Sequence, residues 1–126
     1  MDNINAQIHI LIAEDEMAMG RALQMKLQHM GFVVESVLNG EEALQALEVK
    51  QFELLLLDLM MPLVDGFRVL TTMNEKNLKV PVIVMSNLGQ TDDIKRAKEM
   101  GAVGYFIKSE TPIKDLVTEI GKVLGL

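Results

Sequence analysis

Polar and apolar positions along this chain alternate between two patterns. Short, mostly apolar runs at residues 8–13, 32–37, 52–58, 80–85 and 103–107 read as buried strands. The third is the purest: four consecutive leucines, Leu54 to Leu57, show no polar alternation, as expected of a strand covered on both faces. Between the runs, apolar residues recur at three- and four-residue steps. They are Met19, Leu23, Leu27 and Met30; Ala43, Leu44 and Leu47; Phe67, Leu70 and Met73; Ile94, Ala97 and Met100; and Ile113, Leu116, Val117, Ile120 and Leu124. Each set marks one face of a helix. The Ile94 set is the thinnest and the last set the cleanest.

Punctuation agrees with the periodicity. Gly31 and Gly101 stand where helices end, Asn39-Gly40 and Asp65-Gly66 stand where they begin, and Pro62 breaks the chain after the leucine run. Thr91-Asp92-Asp93 reads as a cap with acids in the first turn. Thr111-Pro112 reads as a cap followed by proline at the first helical position. Five repeats of strand and helix with short connections predict an α/β fold, a parallel sheet with helices on both faces and right-handed crossovers. No linker or second domain is visible, so residues 1–126 are read as one domain without an output domain.

Composition narrows the function. A formal net charge of −6 argues against direct nucleic-acid binding, which wants a basic face. The absence of cysteine excludes disulfides and thiolate metal sites. The first seven residues are polar and the apolar run behind them is only a strand long, so neither a signal peptide nor a membrane segment is expected. The expected location is cytoplasmic. The ten methionines are read as adaptable core filler.

The candidate chemistry lies at the strand ends. Glu14 and Asp15 follow the first strand, Asp58 ends the third, Ser86 follows the fourth and Lys108 follows the fifth. In a doubly wound sheet these residues project from one edge, where such sheets place their ligands. Each has a plain structural explanation alone: a helix's acidic first turn, a turn serine, a solvated lysine. Their coincidence at successive strand ends is harder to explain that way. Three carboxylates in one crevice ask for a hard cation such as Mg²⁺, and a lysine and a hydroxyl beside Asp58 suit an anion carried on it. The set describes an aspartate that takes up a phosphoryl group.

With these residues the chain resembles a receiver domain of a two-component response regulator. The matching pieces are residues 10–16 (Glu14, Asp15, Glu16), residues 57–62 with Asp65-Gly66, residues 84–86, and Gly101-Ala102 through Tyr105 to Lys108. The resemblance implies a flavodoxin-like, five-stranded, doubly wound parallel sheet in the order 2-1-3-4-5 with five helices. It implies a phosphorelay signalling switch that is not an enzyme on other substrates. Asp58 would accept phosphate from a sensor histidine kinase or phosphotransfer protein. Mg²⁺ would be held by Asp15, Asp58 and the main-chain carbonyl of Met60, with Glu14 acting through water. Ser86 would touch the phosphoryl oxygens, Lys108 would pair with them, and Tyr105 would change rotamer as Ser86 moves. A downstream protein would dock on the fourth helix, fifth strand and fifth helix. Met60 and Leu88, which cannot orient a water, would tune the lifetime of the phosphoaspartate.

The chain departs from the family at Lys108-Ser109, where most receivers have a cis proline after the lysine. Without proline a trans peptide is expected, because the cis form costs about 3–4 kcal/mol. The alternative function is a receiver-like module that docks without phosphorylation, which the intact site disfavours. An aspartate-nucleophile phosphatase would want an acid at Met60, and a nucleotide site would want glycines where Glu14 and Asp15 stand. His9 and His29 are placed away from the site and read as structural or solvated.

Overall fold

The structure, a computed structural model, describes the backbone of residues 4–87 and 91–126. After a 3₁₀ turn at Ile4–Gln7, strands β1 (His9–Ala13), β2 (Val33–Val37), β3 (Leu54–Asp58), β4 (Val82–Ser86) and β5 (Gly104–Ile107) alternate with helices. These are α1 (Met17–His29), α2 (Gly40–Val49), α3 (Gly66–Glu75), α4 (Thr91–Glu99) and α5 (Ile113–Leu124). All strand pairs are parallel, in the order β2-β1-β3-β4-β5. The expected flavodoxin-like architecture is therefore the observed one.

The leucine run supplies both halves of the core. Leu55 and Leu57 pack with Ala43, Leu47, Val69, Leu70 and Met73 of α2 and α3, and with Ala97 of α4. Leu54 and Leu56 face the opposite way, toward Leu23 and Leu27 of α1 and Leu116 and Ile120 of α5. Period-two alternation sends successive side chains to opposite faces, so an unbroken apolar run is what a two-sided core requires. Full burial of such a side chain contributes about 1.5–3 kcal/mol, and all four leucines of β3 are fully buried. The thin stripe on α4 buries Ala97 alone, whereas α3 buries Phe67, Val69, Leu70 and Met73.

Helix signals are realised with small shifts. Asn39 caps α2 by accepting from the Glu42 amide, and Glu42 reaches back to the Leu38 amide at 2.9 Å. Asp65 caps α3 by accepting from the Arg68 amide at 2.8 Å. Gly31, just past α1, adopts φ 98°, a region that suits glycine. The start of α5 corrects the expectation: Pro112 is the N-cap residue, and helical geometry begins at Ile113. Pro112 has φ −61° but ψ 149°, so its ring is compatible with a helix while its carbonyl side is still extended. Thr111 does not cap; its amide instead closes a turn onto the Ile107 carbonyl at 2.8 Å. Thr91 is already helical, and the cap position before it lies outside the described residues.

Candidate functional site

Every strand but β2 delivers a site residue to the carboxyl edge of the sheet. Register lines them up: Asp58 is level with Met85, and Ser86 with Ile107, one residue before Lys108. Asp58 and Glu14 are buried at 2% and 0% exposure, Ser86 is buried, and Asp15 is exposed. Carboxylate oxygens of Glu14, Asp15 and Asp58 lie within 4.8 Å of one another.

Lys108 binds this cluster together. Its ammonium is 3.0 Å from Asp58 Oδ2, 2.5 Å from Glu14 Oε1 and 3.5 Å from Glu16 Oε1. The second Asp58 oxygen, Oδ1, accepts from the Met60 amide at 3.0 Å. The carboxylate is thus held in one orientation by a cation on one side and a main-chain N–H on the other. Burial draws the Lys108 pKa down, but the Glu14 and Asp58 carboxylates outweigh it, and the net shift is upward. Glu14 moves far from its ordinary value of 4.5, to about 8. Burial is the largest cause and the Asp58 carboxylate adds to it, while Lys108 and the Glu16 amide oppose both.

Two glycines let the chain close tightly around Asp58. A Cβ on Gly66 would stand 2.6 Å from the Asp58 carbonyl oxygen and 2.7 Å from Leu59 Cα. A Cβ on Gly40, at the start of α2, would stand 2.1 Å from the Val64 carbonyl oxygen. The loop from β3 to α3 is therefore pinned to its own strand and to the neighbouring helix. It also carries strain, since Leu63 adopts φ 68°, where a branched side chain is disfavoured.

The donor set fits a hard divalent cation. Glu14 Oε1 is buried and, among the described residues, accepts no hydrogen bond of normal geometry, although Lys108 approaches it as an ion pair. A buried carboxylate oxygen with unused lone pairs, beside two further carboxylates, is an oxygen-rich site of the kind Mg²⁺ takes.

The remaining expected residues are placed less directly. Tyr105 is 45% exposed on β5, and the Lys98 ammonium lies 4.7 Å from its ring centroid. Met60 is 68% exposed, beside Asp58. Leu88 lies outside the described residues. The Lys108–Ser109 peptide is trans, as expected without proline. His9 begins β1 at the far edge of the sheet and His29 ends α1, both away from the site. Glu16 was given no role by sequence reasoning, yet it is a third carboxylate on Lys108. Its place directly after Glu14-Asp15 was the available signal.

An acidic pocket at the carboxyl edge of a 2-1-3-4-5 sheet, with a lysine bridging two buried acids, defines a class that comparison with known proteins bears out. The response regulator receiver domain family matches residues 10–120, and the chain belongs to that family. It is 34% identical over 118 residues to "Probable transcriptional regulator ycf27" of Cyanidium caldarium, a match covering 94% of this chain and 47% of that protein. The chain thus spans about half the length of the curated relatives it matches. The receiver domain of Francisella response regulator 1452 superposes with a TM-score of 0.88 at 23% identity, covering 94% of this chain and 98% of that one. Response regulator TrrA of Thermotoga maritima, in complex with Mg(2+)-BeF, superposes at 0.82 with 25% identity, covering 94% and 100%.

Proposed function

We propose that the chain is a phosphorylation-controlled switch that takes a phosphoryl group onto Asp58 from the phosphohistidine of a sensor kinase or phosphotransfer protein. The observation that carries this reading is the clamped carboxylate, with Lys108 Nζ on Oδ2 and the Met60 amide on Oδ1, each at 3.0 Å. A carboxylate oxygen attacks phosphorus, the P–N bond breaks, and the imidazole leaves. Lys108, already charged and buried, offsets the negative charge gathered on the transferred group without having to reorganise. Ser86, buried at the end of β4, would supply the hydroxyl that meets a phosphoryl oxygen.

Asp15, Asp58, Glu14 and the Met60 carbonyl would hold Mg²⁺, whose chemistry is to neutralise the phosphoryl oxygens and the crowded acids. Output goes to a partner protein on the α4-β5-α5 face. A groove there is lined by Lys98, Tyr105, Thr111, Asp115, Leu116 and Glu119, and Tyr105 is exposed enough to change position. The Met60 side chain cannot orient a water, so the phosphoaspartate decays slowly. Met60→Asn should speed its loss by about tenfold, the effect of roughly 1.4 kcal/mol of barrier.

The test is incubation with a small-molecule phosphodonor and Mg²⁺, read by intact mass. Wild type should gain one phosphoryl group, while chelation or Asp58→Ala should abolish the gain. Normal modification of the Asp58→Ala protein would overturn the assignment.

A further inference from the structure

Lys108 and Ser109 make two consecutive contacts with the residues that end and follow β4. The Lys108 amide donates to the Ser86 carbonyl at 2.7 Å, and the Ser109 hydroxyl donates to the Asn87 carbonyl at 2.6 Å. The first bond continues the sheet, and any residue at position 108 except proline could make it. The second depends on the side chain, since neither proline nor alanine at position 109 has a hydroxyl to donate. The Asn87 side-chain nitrogen Nδ2 in turn approaches Glu16 Oε1 at 3.5 Å, and the same oxygen lies 3.5 Å from the Lys108 ammonium. Ser109, Asn87, Glu16 and Lys108 thus form a closed ring of contacts linking the ends of β1, β4 and β5.

We propose that Ser109 is a positioning residue: its hydroxyl clasps the β5–α5 turn to Asn87, so that Ser86 and Lys108 respond together when an anion occupies Asp58. The inference rests on Asp58 being the phosphoacceptor and adds a route from it to α5. The turn closed by Ser109 is short. Glu110 and Thr111 amides both donate to the Ile107 carbonyl, at 3.1 and 2.8 Å, and α5 begins at Ile113. A displacement at Asn87 therefore reaches the first turn of α5 through few rotatable bonds. Ser109 is exposed and belongs to neither half of the core, so loss of its hydroxyl leaves the core packing in place.

The test uses amide NMR on wild type, Ser109→Ala and Ser109→Thr. Without any anion, loss of the hydroxyl should raise hydrogen exchange at the Lys108 amide by about two- to tenfold, the range one net hydrogen bond represents. Threonine, which keeps the hydroxyl, should restore the wild-type rate. With Mg²⁺ and beryllofluoride, wild type should shift at residues 86–87 and 108–111 in parallel. Ser109→Ala should keep the first set and lose at least about half of the second, because one bond of this strength holds most of the coupled population. Unchanged exchange, or an unchanged response at 108–111 with beryllofluoride bound, overturns the clasp. Failure of wild type to respond to beryllofluoride overturns the phosphoacceptor reading, and the relay with it, whatever the exchange rates show.

Discussion

Lysine meets carboxylate at both ends of this sheet, and what surrounds the charges differs. Around the C-terminal ends of α2 and α3, Lys50 pairs with Glu35 and Lys76 with Glu48, on side chains 40–58% exposed. At the carboxyl edge, Lys108 pairs with Glu14 and Asp58 on side chains no more than 5% exposed. The residue types are the same and their separations similar. Water screens the first group, leaving each pair worth about 0–1 kcal/mol. Burial removes that screening from the second, so every charge there must be balanced by another protein group, a proton or a metal. The proposed function sits where the fold has withdrawn the solvent.

The sharpest way to break this contrast is to remove the buried cation. Lys108→Ala should destabilise the metal-free protein by about 3–5 kcal/mol, since it strands two buried acids. Mg²⁺ should recover part of the loss, as read by denaturant midpoints. A change below about 1 kcal/mol would show that the acids are solvated after all.

Backbone crowding is next. Gly66→Ala places a methyl group 2.6 Å from the Asp58 carbonyl oxygen, and neither partner is a flexible side-chain tip. It should cost about 1–3 kcal/mol and slow phosphorylation by displacing the Met60 amide. Equal phosphorylation rates for the two proteins would show that the loop adapts without moving Asp58.

A smaller effect separates the ends by pH. Glu14 has its folded pKa raised from 4.5 to about 8, so the native state binds more protons than the unfolded state between those values. Its contribution to stability is present in full below about pH 4.5 and is lost as pH rises through about 8. Metal-free wild type should lose stability across that interval, and Glu14→Gln or added Mg²⁺ should flatten the slope. A slope unchanged by Glu14→Gln assigns it to other groups.

The exposed pairs should respond least. Lys50→Ala and Lys76→Ala should each shift stability by no more than about 0.5 kcal/mol, with the difference fading in high salt.

The architecture was legible because it rests on local chemistry. An unbroken leucine run can satisfy only a strand covered on both faces, and the amphipathic sets between runs can cover it only as helices. Asp58, Glu14, Asp15 and Lys108 were legible for a related reason: parallel strands joined by right-handed crossovers all end at one edge, so residues after them meet regardless of sequence distance. Asn39-Gly40 showed a helix start but not that Gly40 must admit the Val64 carbonyl, since that contact belongs to a different loop. Ser109 was visible as a missing proline and a trans peptide, whereas its hydroxyl found Asn87 only once β4 and β5 were paired. The same holds for Glu16, an ordinary acid in a helix-leading turn until folding brings Lys108 to 3.5 Å. Periodicity and strand ends are properties of neighbours along the chain, so sequence alone determined the strands, the helices between them and the shared edge to which Glu14, Asp15, Asp58 and Lys108 belong. Distances, burial and the protonation of Glu14 depend on which atoms exclude water from which charges, and only the packed tertiary structure decided those.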